Sequence, residues 1–181
     1  ESQYAILKKI RQDFSADQIE IRVDANGALD KINSLTILNQ LAELKIHSIE
    51  QPIKQGQFIE MKELCKISPI SIALDEELIG VFSLKKKKEL LLFINPQYII
   101  LKPSLIGGFK GSEEWINLAN ELKIKWWVTS ALESNVGLNA IAQWTYTLNN
   151  TLPQGLGTGS LFSNNFPTSL NLVGEKLFYN P

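Results

Sequence analysis

The chain has 181 residues, 44% hydrophobic and 20% charged, which suits one domain with a substantial core. Its net charge of −1 and pI near 5.9 give no electrostatic reason to expect a nucleic-acid or anionic-membrane partner. One cysteine, Cys65, excludes an internal disulfide, and no apolar run reaches the roughly 18 residues that span a bilayer. With no basic and apolar leader at Glu1-Ser2-Gln3-Tyr4, a cytoplasmic location is expected.

In chain order, Tyr4, Ile6, Leu7, Ile10 and Phe14 recur at helical spacing opposite Lys8, Lys9 and Arg11, predicting a helix over 4–14. A strand is expected over 18–23, ending on Asp24. Asn33 or Ser34 then caps a helix running to about Leu44. The next strand ends at Glu50, where Gln51-Pro52 stops it. A helix over 58–67 closes at Ser68-Pro69 and is followed by the strand Ile70 to Leu74, ending on Asp75. Residues 81–92 read as a helix with lysines 85–88 on a solvated face. The run up to Leu101 reads as a strand that stops at Lys102, because Pro103 disfavours helix and removes a ladder donor. Ser112 is expected to cap a helix to about Leu122. A strand over 125–130, a helix over 135–147 and a short strand over 152–156 complete the pattern. Trp126 and Trp127 should point to opposite faces of their strand.

Strands alternating with helices of 10 to 15 residues predict a parallel α/β fold. A charged residue closes each of four consecutive strands, at positions 24, 50, 75 and 102, a nearly constant step of about 26 residues. An open doubly wound sheet would carry a glycine-rich phosphate loop after its first strand, and none is present. Charged groups gathered at C-terminal strand ends match a (β/α) barrel, whose active site lies on that face. Six strand ends are counted, at Asp24, Glu50, Asp75, Lys102, Ser130 and about Leu156. A closed barrel needs about eight strands, so about two are expected upstream of Glu1 and the chain is read as a partial TIM-like barrel.

Three carboxylates pointing at one another repel unless a cation lies among them. Oxygen-only ligands suit Mg²⁺, and no Cys or His cluster exists for zinc or copper. A lysine facing such a cation is expected to have a lowered pKa and to exchange protons, while the cation stabilises an enolate formed next to a carboxylate. The other conspicuous residues read as structural: His47 as a surface or interface side chain, Cys65 as a packed thiol, and Asn26, Glu76 and Glu77 as neighbours of the carboxylates.

The motifs Asp24-Ala25-Asn26-Gly27, Ile49-Glu50-Gln51-Pro52, Ala73-Leu74-Asp75-Glu76-Glu77 and Leu101-Lys102-Pro103 resemble the enolase superfamily in order and spacing. Within it, Ile106-Gly107-Gly108, the stretch from Ser130 to Leu138 and Gly155-Leu156-Gly157-Thr158-Gly159 look like the o-succinylbenzoate synthase family of menaquinone biosynthesis. The resemblance implies that Asp24, Glu50 and Asp75 bind Mg²⁺ and that Lys102 faces the substrate. It implies too that Ser130, Glu133, Asn135, Gly157, Thr158 and Gly159 line a small-molecule carboxylate. The reaction implied is dehydration of 2-succinyl-6-hydroxy-2,4-cyclohexadiene-1-carboxylate through an enediolate. Racemisation of N-acylamino acids, epimerisation of dipeptides and a non-catalytic barrel remnant are the rival readings. The family's Lys-x-Lys pair and its N-terminal capping domain have no counterpart in these residues. The chain is therefore expected to be a C-terminal piece, inactive by itself, with barrel strands three to eight over 1–160. A tail over 161–181 is expected to pack on the barrel or the capping domain. A homo-oligomer is the one protein assembly this reading admits, with no nucleic acid or membrane involved.

Overall fold

The computed structural model describes residues 3–30 and 32–180. Five short strands, β1 (Arg22–Asp24), β2 (Ser48–Glu50), β3 (Ser71–Leu74), β4 (Tyr98–Leu101) and β5 (Lys125–Val128), form one parallel sheet in chain order. The helices are α1 (Gln3–Asp13), α2 (Ser34–Glu43), α3 (Phe58–Ile67), α4 (Leu84–Ile94), α5 (Gly108–Glu121) and α6 (Asn135–Thr147). Each βα step brings the next strand alongside the last, so all strand ends carrying charge emerge on one side.

The sheet has two apolar faces. Ile72, Leu74, Ile99, Leu101, Trp126 and Val128 point toward the helices and join the main core with Leu38, Met61, Leu91 and Trp115. Ala73, Tyr98, Ile100 and Trp127 alternate to the other face, the interior of the curved sheet. The paired tryptophans divide as expected: the Trp126 indole N–H donates to Asn120 of α5 at 3.1 Å, while Trp127 packs on Tyr98 with the rings tilted and their centroids 5.3 Å apart.

The sixth expected strand is reduced to one parallel bridge between Thr129 and Gly155. Gly155 N–H donates to Val128 O (2.8 Å), and the Gln154 side chain accepts from Val128 N–H (2.7 Å) in place of a backbone carbonyl. Pro153 has no amide hydrogen to extend the ladder. The first strand is likewise shorter than expected, spanning only Arg22–Asp24.

Three helical expectations are corrected. α4 begins at Leu84 and runs to Ile94, where Asn95 turns into the left-handed region (φ 53°) and ends it. Its lysines are not all solvated: Lys87 is fully buried against α5, donating to Gly111 O (2.8 Å) and Glu114 Oε2 (3.0 Å). α5 starts four residues before Ser112, after Gly107 at φ 102°. The Ser112 hydroxyl donates back to Gly108 O within the helix and caps nothing. The tail holds an antiparallel hairpin, β6 (Leu170–Val173) and β7 (Lys176–Tyr179), turned at Gly174 (φ 60°), with Leu170 and Leu177 packed on the main core.

Candidate active site

Strand register places the charged groups. Asp24 stands opposite Glu50 across the β1–β2 pair, and Glu50 stands opposite Ala73 across β2–β3. Asp75, two residues beyond Ala73, points to the same side as Ala73. The ladder continues past the strand ends: Ala25 N–H donates to Glu50 O (3.0 Å) and Gln51 N–H to Ala73 O (2.9 Å). Lys102 leaves the end of β4 and donates its ammonium to Asp75 Oδ2, with Glu50 Oε1 at 3.5 Å. Asp75 is buried, Glu50 and Lys102 are half-buried, and Asp24 is exposed, its Oδ1 accepting the Asn26 N–H at 2.8 Å.

The cluster is electrostatically tense. Burial, then the charges of Asp24 and Asp75, push the Glu50 carboxyl up to about 8 against the opposing pull of Lys102. For Lys102, burial pulls downward. The hydrogen bond and charge of Asp75, with Glu50 and Glu76 behind them, outweigh it and raise its pKa. Here the ammonium is itself the counter-ion of the carboxylates; the lowered pKa expected of a lysine facing a bound cation is a separate case. Among the described residues, no group of three His, Cys, Asp or Glu side chains is close enough together to hold a metal ion as it stands. The donor set nevertheless fits a hard divalent cation. Three carboxylates from adjacent strands face one region without any sulfur or imidazole donor, and two of them drive the third toward its neutral form.

The loops after β5 and the Gly155 bridge hold the remaining predicted residues. Thr158 Oγ1 donates to Ser130 Oγ (2.8 Å), which also accepts the Leu132 N–H (2.9 Å). Both Glu133 oxygens are engaged, Oε1 by the Ser104 hydroxyl (2.5 Å) and Oε2 by the Ala131 N–H (2.9 Å). Those contacts hold Leu132 at φ 62° with its side chain exposed. Asn135 opens α6, donating through its N–H to Asn165 Oδ1 (2.7 Å) and through Nδ2 to Phe166 O (2.5 Å). Gly159 is seated so closely that a Cβ would lie 2.9 Å from Asn135 Oδ1, and Gly157 faces Leu172 of β6. The structure therefore forms two groups: the carboxylates with Lys102, and Ser130 with Thr158. Glu133 and Asn135 are tied into their own loops.

Sequence reasoning missed Gln51, Ser104 and Asn165. Gln51 read only as part of a strand stop, yet its side chain is buried between strand ends. Its signal was an amide placed directly after a charged strand end and before a proline. Ser104 and Asn165 are contacts across the fold that no local pattern announces. The Asn26 contact with Asp24 uses its backbone N–H. A groove of about 910 Å³ lies elsewhere, between α6 and the hairpin, lined by Trp144, Tyr146, Leu170, Leu177 and Phe178. It includes none of Asp24, Glu50, Asp75 and Lys102.

Charged strand ends gathered on one side of a parallel sheet define a class of barrel proteins. The chain belongs to the enolase C-terminal domain-like family, whose sequence profile matches residues 1–171. It is 55% identical over 173 residues to an o-succinylbenzoate synthase of Desulfotalea psychrophila, covering 96% of this chain and 47% of that protein. The crystal structure of MenC from the same organism superposes with a TM-score of 0.93 at 54% identity, covering 97% of this chain and 49% of that one. An N-succinylamino acid racemase of Thermus thermophilus is 31% identical over 134 residues, covering 74% of this chain and 35% of that protein. The chain thus spans about half the length of the first of these relatives. Among the described residues, no helix is long and apolar enough to cross a membrane.

Proposed function

We propose that this chain is the metal-binding half of an o-succinylbenzoate synthase, a lyase of the enolase superfamily that acts on a small-molecule carboxylate in menaquinone biosynthesis. The observation that carries the reading is Lys102 set between Glu50 and Asp75, with Asp24 paired opposite Glu50, at four consecutive strand ends. The 55% identity to the Desulfotalea enzyme supports the substrate, 2-succinyl-6-hydroxy-2,4-cyclohexadiene-1-carboxylate.

Asp24, Glu50 and Asp75 would hold Mg²⁺, which when bound supplies positive charge against the carboxylate oxygens as the α-proton leaves. Lys102 lies on the next strand, where its ammonium stabilises negative charge developing on the enediolate. As a cation donating to Asp75 and facing Glu50, it is placed as a charge stabiliser rather than as a base. Ser130 and Thr158 form a hydroxyl pair beside this group, suited to holding a second carboxylate of the substrate. Proton removal needs a base other than Lys102. Lys8 and Lys9 are exposed on α1 and do not provide one, so these 181 residues alone should not turn over. We place the enzyme in the cytoplasm.

The likeness to the Thermus racemase favours a second reading, racemisation of N-acylamino acids, in which Lys102 exchanges a proton at one face of the α-carbon. The deciding experiment follows Mg²⁺-dependent loss of cyclohexadiene absorbance by the intact natural polypeptide, beside Lys102→Ala. Loss that needs both Mg²⁺ and Lys102 supports dehydration. No loss, with the fold intact and Mg²⁺ bound, refutes it and moves the assignment to the racemase reading, read by deuterium exchange into N-succinylamino acids.

A further inference from the structure

We propose that Gln51 is the positioning residue that sets the three carboxylate-bearing strand ends relative to one another. The inference rests on the cation reading proposed above. Gln51 follows Glu50 directly, is 1% exposed, and has φ 37°, a backbone region that a residue with a long side chain seldom adopts. That turn sends its main chain and side chain to three different elements. Its N–H donates to Ala73 O of β3 (2.9 Å), and its carbonyl accepts the Gly27 N–H (2.7 Å) from the loop that begins at Asp24. Its side-chain Oε1 accepts the N–H of Asp75 (3.2 Å), and its Nε2 donates to Ile53 O (3.0 Å).

The amide is held in that orientation. Nε2 also faces Glu77 Oε1 at 3.4 Å, and the Glu77 carboxylate is anchored in turn by the Gly56 N–H, at 3.1 and 3.2 Å from its two oxygens. An acceptor fixed on the Nε2 side leaves Oε1 toward Asp75 as the satisfied arrangement. Gly27 completes the clamp: at φ 70°, a Cβ there would lie 2.9 Å from Lys54 Cα, so the loop after Asp24 seats flat against the chain after Gln51. One residue thus touches the loop after Asp24, the chain at Glu50 and the backbone of Asp75. A carboxylate cluster under mutual repulsion needs such a restraint to keep its oxygens converging.

The test is Mn²⁺ titration of the intact protein, with free Mn²⁺ read by electron paramagnetic resonance. Gln51→Met is compared with Gln97→Met. Gln97 makes the same kind of bracket near the start of β3, accepting the Ile72 N–H (2.9 Å) and donating to Cys65 O (3.1 Å), away from the carboxylates. Gln51→Met should weaken Mn²⁺ binding by about 10- to 100-fold, the range for partners that orient metal ligands. Gln97→Met should lower the melting temperature to a similar degree and leave Mn²⁺ affinity unchanged. Glu77→Gln, which loosens the anchor without touching a strand end, should give a smaller loss of affinity than Gln51→Met. Unaltered Mn²⁺ affinity in folded Gln51→Met, or an equal loss in Gln97→Met, would overturn the positioning role alone. Failure of the unmutated protein to bind Mn²⁺ would overturn the cation reading and this assignment with it.

Discussion

Replacing Glu114 by Ala strands the Lys87 ammonium inside the α4–α5 interface. Lys87 has no exposed surface; its partners are Gly111 O at 2.8 Å and Glu114 Oε2 at 3.0 Å, with the Trp115 ring centroid 5.2 Å away. Removing one member of a buried pair costs about 3–5 kcal/mol. Glu114 keeps 32% of its side chain exposed, so the lower end, about 3 kcal/mol, is expected. At about 2–4 °C per kcal/mol for a domain of this size, that is a fall of about 6–12 °C in Tm. Lys87→Met keeps the shape and removes the charge that has to be desolvated. It removes the Gly111 carbonyl's second hydrogen bond, the one beyond its partner within α5, at about 0.5–1.5 kcal/mol, while Glu114 turns to water. The double variant should match Lys87→Met rather than the sum, since with no ammonium left, losing Glu114 strands nothing. Urea denaturation followed by tryptophan fluorescence measures all three, with Trp115 beside the ammonium as reporter. A larger loss for Lys87→Met than for Glu114→Ala, or additive losses, would refute the reasoning.

Gly155→Ala places a Cβ 2.4 Å from Thr129 Oγ1 and should cost about 1–3 kcal/mol through overpacking, read in the same denaturation assay. In the folded chain, burial lowers the pKa of His47, helped by Arg22 and Lys125 and opposed by Glu20. The unfolded chain therefore takes a proton that the fold resists. Stability should be complete above about pH 6.5 and fall as pH drops below it, and His47→Gln should flatten that fall. Because Glu50 holds its proton up to about 8, cation binding should displace it. Mg²⁺ affinity by calorimetry should rise with pH toward 8 and level off above, with proton release visible in buffers of different ionisation enthalpy. A pH-independent affinity would contradict that.

Much of this fold is legible because the signals are local. An aliphatic run closed by a charge and a proline, as at Leu101-Lys102-Pro103, specifies a strand end and the direction its last side chains take. Four such ends in steady rhythm imply parallel neighbours, and the sheet order β1 to β5 follows. The helices over 58–67 and 135–147 were equally plain, each with a regular apolar face and a clear boundary. Where α5 begins was not plain. Ser112 carries a cap residue's chemistry, but the turn at Gly107 starts the helix earlier and leaves its hydroxyl bonding backward.

Where each strand ends, and which charges stand there, depends on residues within a few positions of one another, so both can be read along the chain. What those charges meet is set by folding. A run of four lysines cannot say which one faces Glu114, and a glutamine before a proline cannot reveal that it spans three strand ends. Nor can a lysine's sequence neighbours tell whether its pKa rises or falls. Those outcomes depend on residues about 24 to 27 positions away, such as Gly111, Glu114, Asp75 and Glu77, which folding alone brings within hydrogen-bond reach.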